Sequence, residues 1–119
     1  MKIGHIELFV SDLQKSLAFY RDKMGLEVTA LQGEHFAWLK IGESEILLRS
    51  DYSPRLRKSA DYQTSGNGIC FYTKELQAKM KELKSRGLEF SGDDGTPDCP
   101  TFHDPDGHWF QLVNPGKHQ

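Results

Sequence analysis

Along Ile3–Val10 the side chains alternate one by one. Ile6, Leu8 and Val10 point one way and His5, Glu7 and Phe9 the other, the two-residue period of a strand. The period then changes. In Ser11–Val28 (SDLQKSLAFYRDKMGLEV), Leu13, Leu17 and Tyr20 fall at i, i+4 and i+7, one face of a helix. Asp12 or Ser11 caps its first turn, Gly25 stands where a left-handed C-cap ends it, and Leu26-Glu27-Val28 resumes a β pattern. Three strand-like pieces follow: Leu26–Leu31, Ala37–Ile41 preceded by His35-Phe36, and Glu45–Ser50, punctuated by Gly33 and Gly42. The order is β-α-β-β-β. Water is more often met by Lys, Thr or Gln than by His, Glu and Phe, so the second face of the first strand is expected to meet something else.

The helix phrase returns as Lys74–Phe90 (KELQAKMKELKSRGLEF). Here Leu76, Met80 and Leu83 hold the face, Gly87 is the stop and Leu88-Glu89-Phe90 the strand. The offset is 63 residues at the leucine and 62 at the glycine, in a chain of 119, which predicts two copies of one unit. Unit one is residues 1–50. Residues 51–68 form an aperiodic linker, read either as a lid whose Arg55, Arg57 and Lys58 hold an anionic ligand or as a solvated connector. Unit two, residues 69–114, runs through Ile69–Thr73, the second helix, Leu88–Ser91, Thr101–His103 and His108–Asn114. Asp104-Pro105-Asp106-Gly107 is a turn with Pro at i+1 and Gly at i+3. The expected fold is α+β: one domain, 1–119, of two tandem βαβββ units.

Composition narrows the function classes. With 37% hydrophobic and 27% charged residues, the chain reads as a soluble globular protein. A net charge of −2 argues against nucleic acid as a partner. Apolar runs are too short to span a bilayer, and the N-terminus has no secretory h-region, so a cytoplasmic location is expected. Cys70 and Cys99 have no metal or redox spacing and are expected to be reduced thiols, Cys99 an exposed one. His103 is a candidate base beside Cys99, but a surface role for His103 and His108 is the stronger reading.

His5, Ser11-Asp12-Leu13, Phe19-Tyr20, Met24-Gly25-Leu26 and Asp104-Pro105-Asp106-Gly107, set in two βαβββ units, resemble the vicinal oxygen chelate superfamily. This is the glyoxalase I, bleomycin-resistance and extradiol-dioxygenase group. The resemblance implies a curved, half-open mixed-sheet barrel, a homodimer, and a site inside the curve. Family enzymes hold one divalent metal as a Lewis acid. Its ligands come from the first and last strands of each unit. Those positions fall on His5, Leu48, Ile69 and Gln111. Two of these cannot bind metal. Of the flanking residues Leu47, Arg49, Gly68 and Cys70, only Cys70 is a ligand type, and it is expected on the opposite face. No metal cofactor is therefore predicted, with His5 and Gln111 as vestigial positions; the alternative is a rearranged site using His5, Glu7 and another group.

Strand parity then supplies a hollow: His5, Glu7, Phe9, Trp38, Leu48 and Ser50 from unit one, and Ile69, Phe71, Trp109 and Gln111 from unit two. Aromatic faces suit a planar or cationic ligand. Glu7 is the candidate catalytic group or cation partner, and burial without a partner would raise its pKa. Against these stand plainer roles: His5 bonded to Gln111, Glu7 paired with an arginine, and Phe9, Phe71 and Trp109 as core. The function expected is a binding protein that sequesters an aromatic or cationic small molecule. The alternative is a metal-dependent lyase, isomerase or dioxygenase like glyoxalase I, with a divalent metal as cofactor.

Overall fold

The computed structural model describes residues 1–51 and 59–117. Arg55, Arg57 and Lys58, the linker cations, lie outside the described residues. The chain divides into two compact units, Met1–Arg55 and Leu56–Gln119. Its class is α+β, with a four-stranded sheet in the first unit and a three-stranded sheet in the second.

In unit one, β1 (Ile6–Phe9) leads into α1 (Leu13–Leu17), and β2 (Glu27–Gln32), β3 (Phe36–Ile41) and β4 (Ser44–Arg49) follow. Asp12 caps α1 by accepting from the Lys15 amide at 3.1 Å. The helix does not stay α-helical. Ala18–Lys23 is a π-helical segment, with Met24 N–H donating five residues back to Phe19 O at 2.9 Å. Phe19 and Tyr20 are both buried there, edge to face at 5.0 Å. Gly25, at φ 73°, closes the helix as its sequence position implies.

The sheet order is β1-β4-β3-β2, with β1 parallel to β4 and the other pairs antiparallel. Paired residues share a face. Leu8 pairs with Leu48, and Leu48 with Ala37. All three are buried, as are Val10, Leu39, Ile46, Leu13, Leu17 and Tyr20, and α1 packs against β4. This is the unit-one core, and Leu48 belongs to it.

Unit two opens with β5 (Ile69–Tyr72) and α2 (Leu76–Ser85), followed by β6 (Thr101–His103) and β7 (Trp109–Val113), with order β5-β7-β6. The expected strand at Leu88–Ser91 does not form. Leu88 is buried, but only Ser91 and Gly92 bond to Thr101, and Asp93 makes a lone bridge with Pro100. The cause is local. Gly92 has φ 75°, and the Asp93 and Asp94 carboxylates take the amides of Gly95 and Thr96, diverting the backbone from a ladder. Phe71, Phe102 and Phe110 stack at 5.3–6.4 Å and form the core face of this sheet. The turn after β6 forms as expected: Gly107 N–H donates to Asp104 O at 3.1 Å, and the buried Asp104 carboxylate accepts from the amides of Asp106 and His108.

Leu48→Ala is expected to cost about 2–5 kcal/mol of unfolding free energy, whereas the exposed Leu31→Ala costs less than about 0.5. Urea titration of both variants checks this, and equal losses would contradict the face assigned to Leu48.

Candidate functional site

The open face of the first sheet is fixed by two rows of paired residues. Glu7, Leu47, Trp38 and Ala30 form one row, and Phe9, Arg49, Phe36 and Gln32 the next. His5, immediately before β1, lies against this face with its ring edge-on to Trp38 at 4.8 Å. His5, Glu7, Phe9 and Trp38 are thus brought together as expected. Leu48 is not among them, because it faces the core. Leu47 takes its place on the open face. Ser50 also leaves the set: its Oγ and His35 Nδ1 share a hydrogen bond of 3.1 Å, and both line a shallow hollow of about 510 Å³ with Asp12, Leu31 and Glu34.

Arg49 organises the open face. Its Nη1 donates to Glu7 Oε1 at 2.8 Å, while Nη2 and Nε donate to Asp51 at 2.6 and 3.0 Å in a bidentate fork. Its guanidinium lies 5.5 Å from the Phe9 ring and 5.3 Å from the Phe36 ring. His5 Nε2 meets the other Glu7 oxygen at 2.9 Å. Glu7 is therefore paired on both oxygens. The Arg49 guanidinium, with His5 second, holds its carboxyl below the usual range, opposite to the rise that partnerless burial would have produced. Arg49 does the same to Asp51, and the two carboxylates push the guanidinium up. Arg49, Asp51 and Phe36 were missing from the sequence-based set. The signal was present: a guanidinium is almost never left unpaired in a core, so Arg49 had to point outward and take Leu47 with it.

In unit two the expected parity is off by one residue. Ile69 pairs with Phe110 and Phe71 with Leu112, on the core face. Cys70, not Ile69, pairs with Gln111 and shares its side. A register step of one residue exchanges every side chain between faces. Trp109 and Gln111 do share a face, but they are buried there by the chain before β5. Trp109 Nε1 donates to Ser59 O at 3.2 Å, and Gln111 Nε2 donates to the Tyr62 hydroxyl at 2.9 Å and to Cys70 Sγ. Gln111 is thus bonded to Tyr62 and Cys70, while the partner of His5 is Glu7. Gln111 Oε1 is buried with no hydrogen-bond partner among the described residues. Burial, with the Cys70 sulfur second, pushes the Tyr62 phenol up to about 12. The phenol lies so close to the Gly68 backbone that a Cβ there would fall inside it. Neither Cys70 nor Cys99 is in a disulfide, but Cys99 is buried rather than exposed, and burial pushes its thiol up.

Among the described residues, no three His, Cys, Asp or Glu side chains gather into a group that could hold a metal ion. His5 and Glu7, the neighbouring ligand types at the first strand, bond directly to each other, and the Arg49 guanidinium takes the other Glu7 oxygen. That donor set does not fit a divalent ion.

Two outcomes test these arrangements. Glu7 and Asp51 have depressed pKa values, so their stabilisation is present above the unfolded carboxylate range, about pH 4, and is lost as pH falls through the folded values. Arg49→Gln should flatten the fall in melting temperature below about pH 4 and move the NMR-titrated Glu7 carboxyl back up. In unit two, Gly68→Ala should lower the melting temperature, and should lower it much less in a chain that already carries Tyr62→Ala.

Comparison with known proteins places this geometry. Residues 2–112 match the profile of the Glyoxalase/Bleomycin resistance protein/Dioxygenase superfamily. Protein YetH of Bacillus subtilis is 26% identical over 116 residues, covering 93% of this chain and 96% of its own. The metallothiol transferase FosB of Lysinibacillus sphaericus is 28% identical over 116 residues, covering 92% of this chain and 79% of its own. A lactoylglutathione lyase structure from Agrobacterium tumefaciens shares the fold with TM-score 0.69 at 21% identity, over 95% of this chain and 92% of that one. With the match running through nearly the whole chain and both units, this protein belongs to the Glyoxalase/Bleomycin resistance protein/Dioxygenase superfamily.

Proposed function

We propose that this chain is a small-molecule-binding protein of the glyoxalase/bleomycin-resistance type, which sequesters an aromatic cation without the family metal and works as a homodimer. The open face of the first sheet carries this reading. Trp38 offers its ring beside a cluster in which two carboxylates, Glu7 and Asp51, meet one guanidinium, Arg49, itself seated over Phe9 and Phe36. One negative charge is left over when His5 is neutral. A cation is drawn to that excess, and its flat part finds the Trp38 ring.

Two features favour binding over catalysis. A carboxylate held below its usual range by two partners is a poor general base, which speaks against the catalytic candidate Glu7. Arg49 also brings a permanent positive charge to the carboxylate that a metal would need, 2.8 Å from Glu7 Oε1.

A metal-dependent enzyme is the second reading, whether lyase, isomerase, dioxygenase or a transferase as the FosB relative is named. The adjacency of His5 and Glu7 favours it.

Metal analysis of protein purified without an affinity tag separates the two. The binding reading expects sub-stoichiometric Mn, Fe, Ni and Zn, and stoichiometric metal lost on His5→Ala overturns it. Benzyltrimethylammonium should raise the melting temperature without added metal. Glu7→Gln should weaken that binding roughly two- to five-fold while sparing toluene. Trp38→Ala should weaken both.

A further inference from the structure

Unit two carries a cavity that plays no part in the reading above. It holds about 300 Å³ and is lined by Ser59, Ala60, His103, Pro105, Gly107 and Trp109. We propose that it is a second small-molecule site, which takes a single planar aromatic ring bearing a hydrogen-bond donor such as a phenolic hydroxyl.

The walls set the class of ligand. Trp109 and Pro105 are apolar, and Gly107 adds no side chain. The one Trp109 polar atom is spent: Nε1–H donates to Ser59 O at 3.2 Å. The Ser59 hydroxyl spends its hydrogen on Thr64 O at 3.0 Å, and His103 is the lining ring that can accept. Its Nδ1 lies 2.9 Å from Asp104 O, and a carbonyl oxygen only accepts, so Nδ1 carries the hydrogen. In the neutral ring Nε2 is then an acceptor, with no protein partner among the described residues.

That acceptor is held in place. The ring is anchored through Nδ1, and it packs on the Trp109 indole at 4.9 Å between centroids, tilted by 57°. The turn carrying Pro105 and Gly107 is tied by the Asp104 carboxylate, which takes the amides of Asp106 and His108. An apolar slot with one fixed acceptor orients a ligand through a single hydrogen bond. The volume is at the low end for ligand pockets, enough for one ring and its substituent.

Phenol and benzene are the probes, because they differ by the donor alone. The readout is the pair of tryptophan indole N–H signals in ¹H–¹⁵N spectra of the full chain, assigned with Trp38→Phe. Phenol should move the Trp109 signal saturably, and benzene should bind there about five-fold more weakly. In His103→Leu the two should bind alike. Three results would overturn the proposal: no saturable shift at Trp109, a shift confined to Trp38, or equal affinity for phenol and benzene in the unmodified chain. The last comparison needs no variant, so it stands even where His103→Leu alters the fold.

Discussion

A guanidinium is costly to leave in an apolar core unless it is paired, and Arg49 therefore decides which side of β4 faces outward. The rest of unit one follows from that choice. With Arg49 outward, Leu47 is outward and Leu48 inward, and the ladder carries the assignment to its neighbours: Leu8 and Ala37 in, Glu7 and Trp38 out. The charge is then neutralised where it stands, by Glu7 on one side and Asp51 on the other, over two phenylalanine rings. Surface ion pairs contribute little to stability one at a time. This cluster matters more for where it puts rings and charges than for how firmly it holds the unit together.

The two units both open with a strand and a helix, but unit two lacks the strand that follows the helix in unit one, and their sheets are finished differently. In unit one the second face of the sheet stays accessible, with His5, Glu7 and Phe9 exposed. In unit two the chain before β5 lies over the corresponding face, so Trp109 and Gln111 become buried. That covering has a cost. The Gln111 amide nitrogen serves Tyr62 and Cys70, and its oxygen has no partner among the described residues. A buried orphan of this kind costs about 1–3 kcal/mol. Close packing of the Tyr62 ring against Gly68 and the burial of Trp109 offset it.

What could be read from the chain depended on how well polar residues marked the period. The helices with their glycine stops, the Asp12 cap and the Asp104–Gly107 turn were legible because each has its own chemistry: a left-handed φ at Gly25, a capping carboxylate, a proline at i+1. The first strand was legible because its polar and apolar residues alternate. Faces were lost where the run is wholly apolar. Ile46-Leu47-Leu48 and Ile69-Cys70-Phe71-Tyr72 carry no inward or outward mark of their own, and a guess there is right or wrong for the whole strand at once. Burial of Cys99 and the missing strand at Leu88–Ser91 were lost for another reason. Both depend on how Asp93, Asp94 and Gly92 fold the loop, and side-chain hydrogen bonds to backbone outcompete β propensity there.

The faces observed in β4 and β5 bear on metal binding in opposite directions. With Cys70 rather than Ile69 beside Gln111, unit two gains a ligand type at the position where an apolar residue had stood in the way. Unit one differs. There the obstacle is the positive charge already in place, together with Leu47 as its neighbour on the strand. A guanidinium fixed by three hydrogen bonds to two carboxylates does part of what a divalent ion does, because it neutralises Glu7 and orders the strand face. It has no exchangeable coordination position, so it cannot polarise paired oxygens of a substrate as the family's metal does. The proposed binding role asks of this face only what these residues supply, ring surfaces and charge.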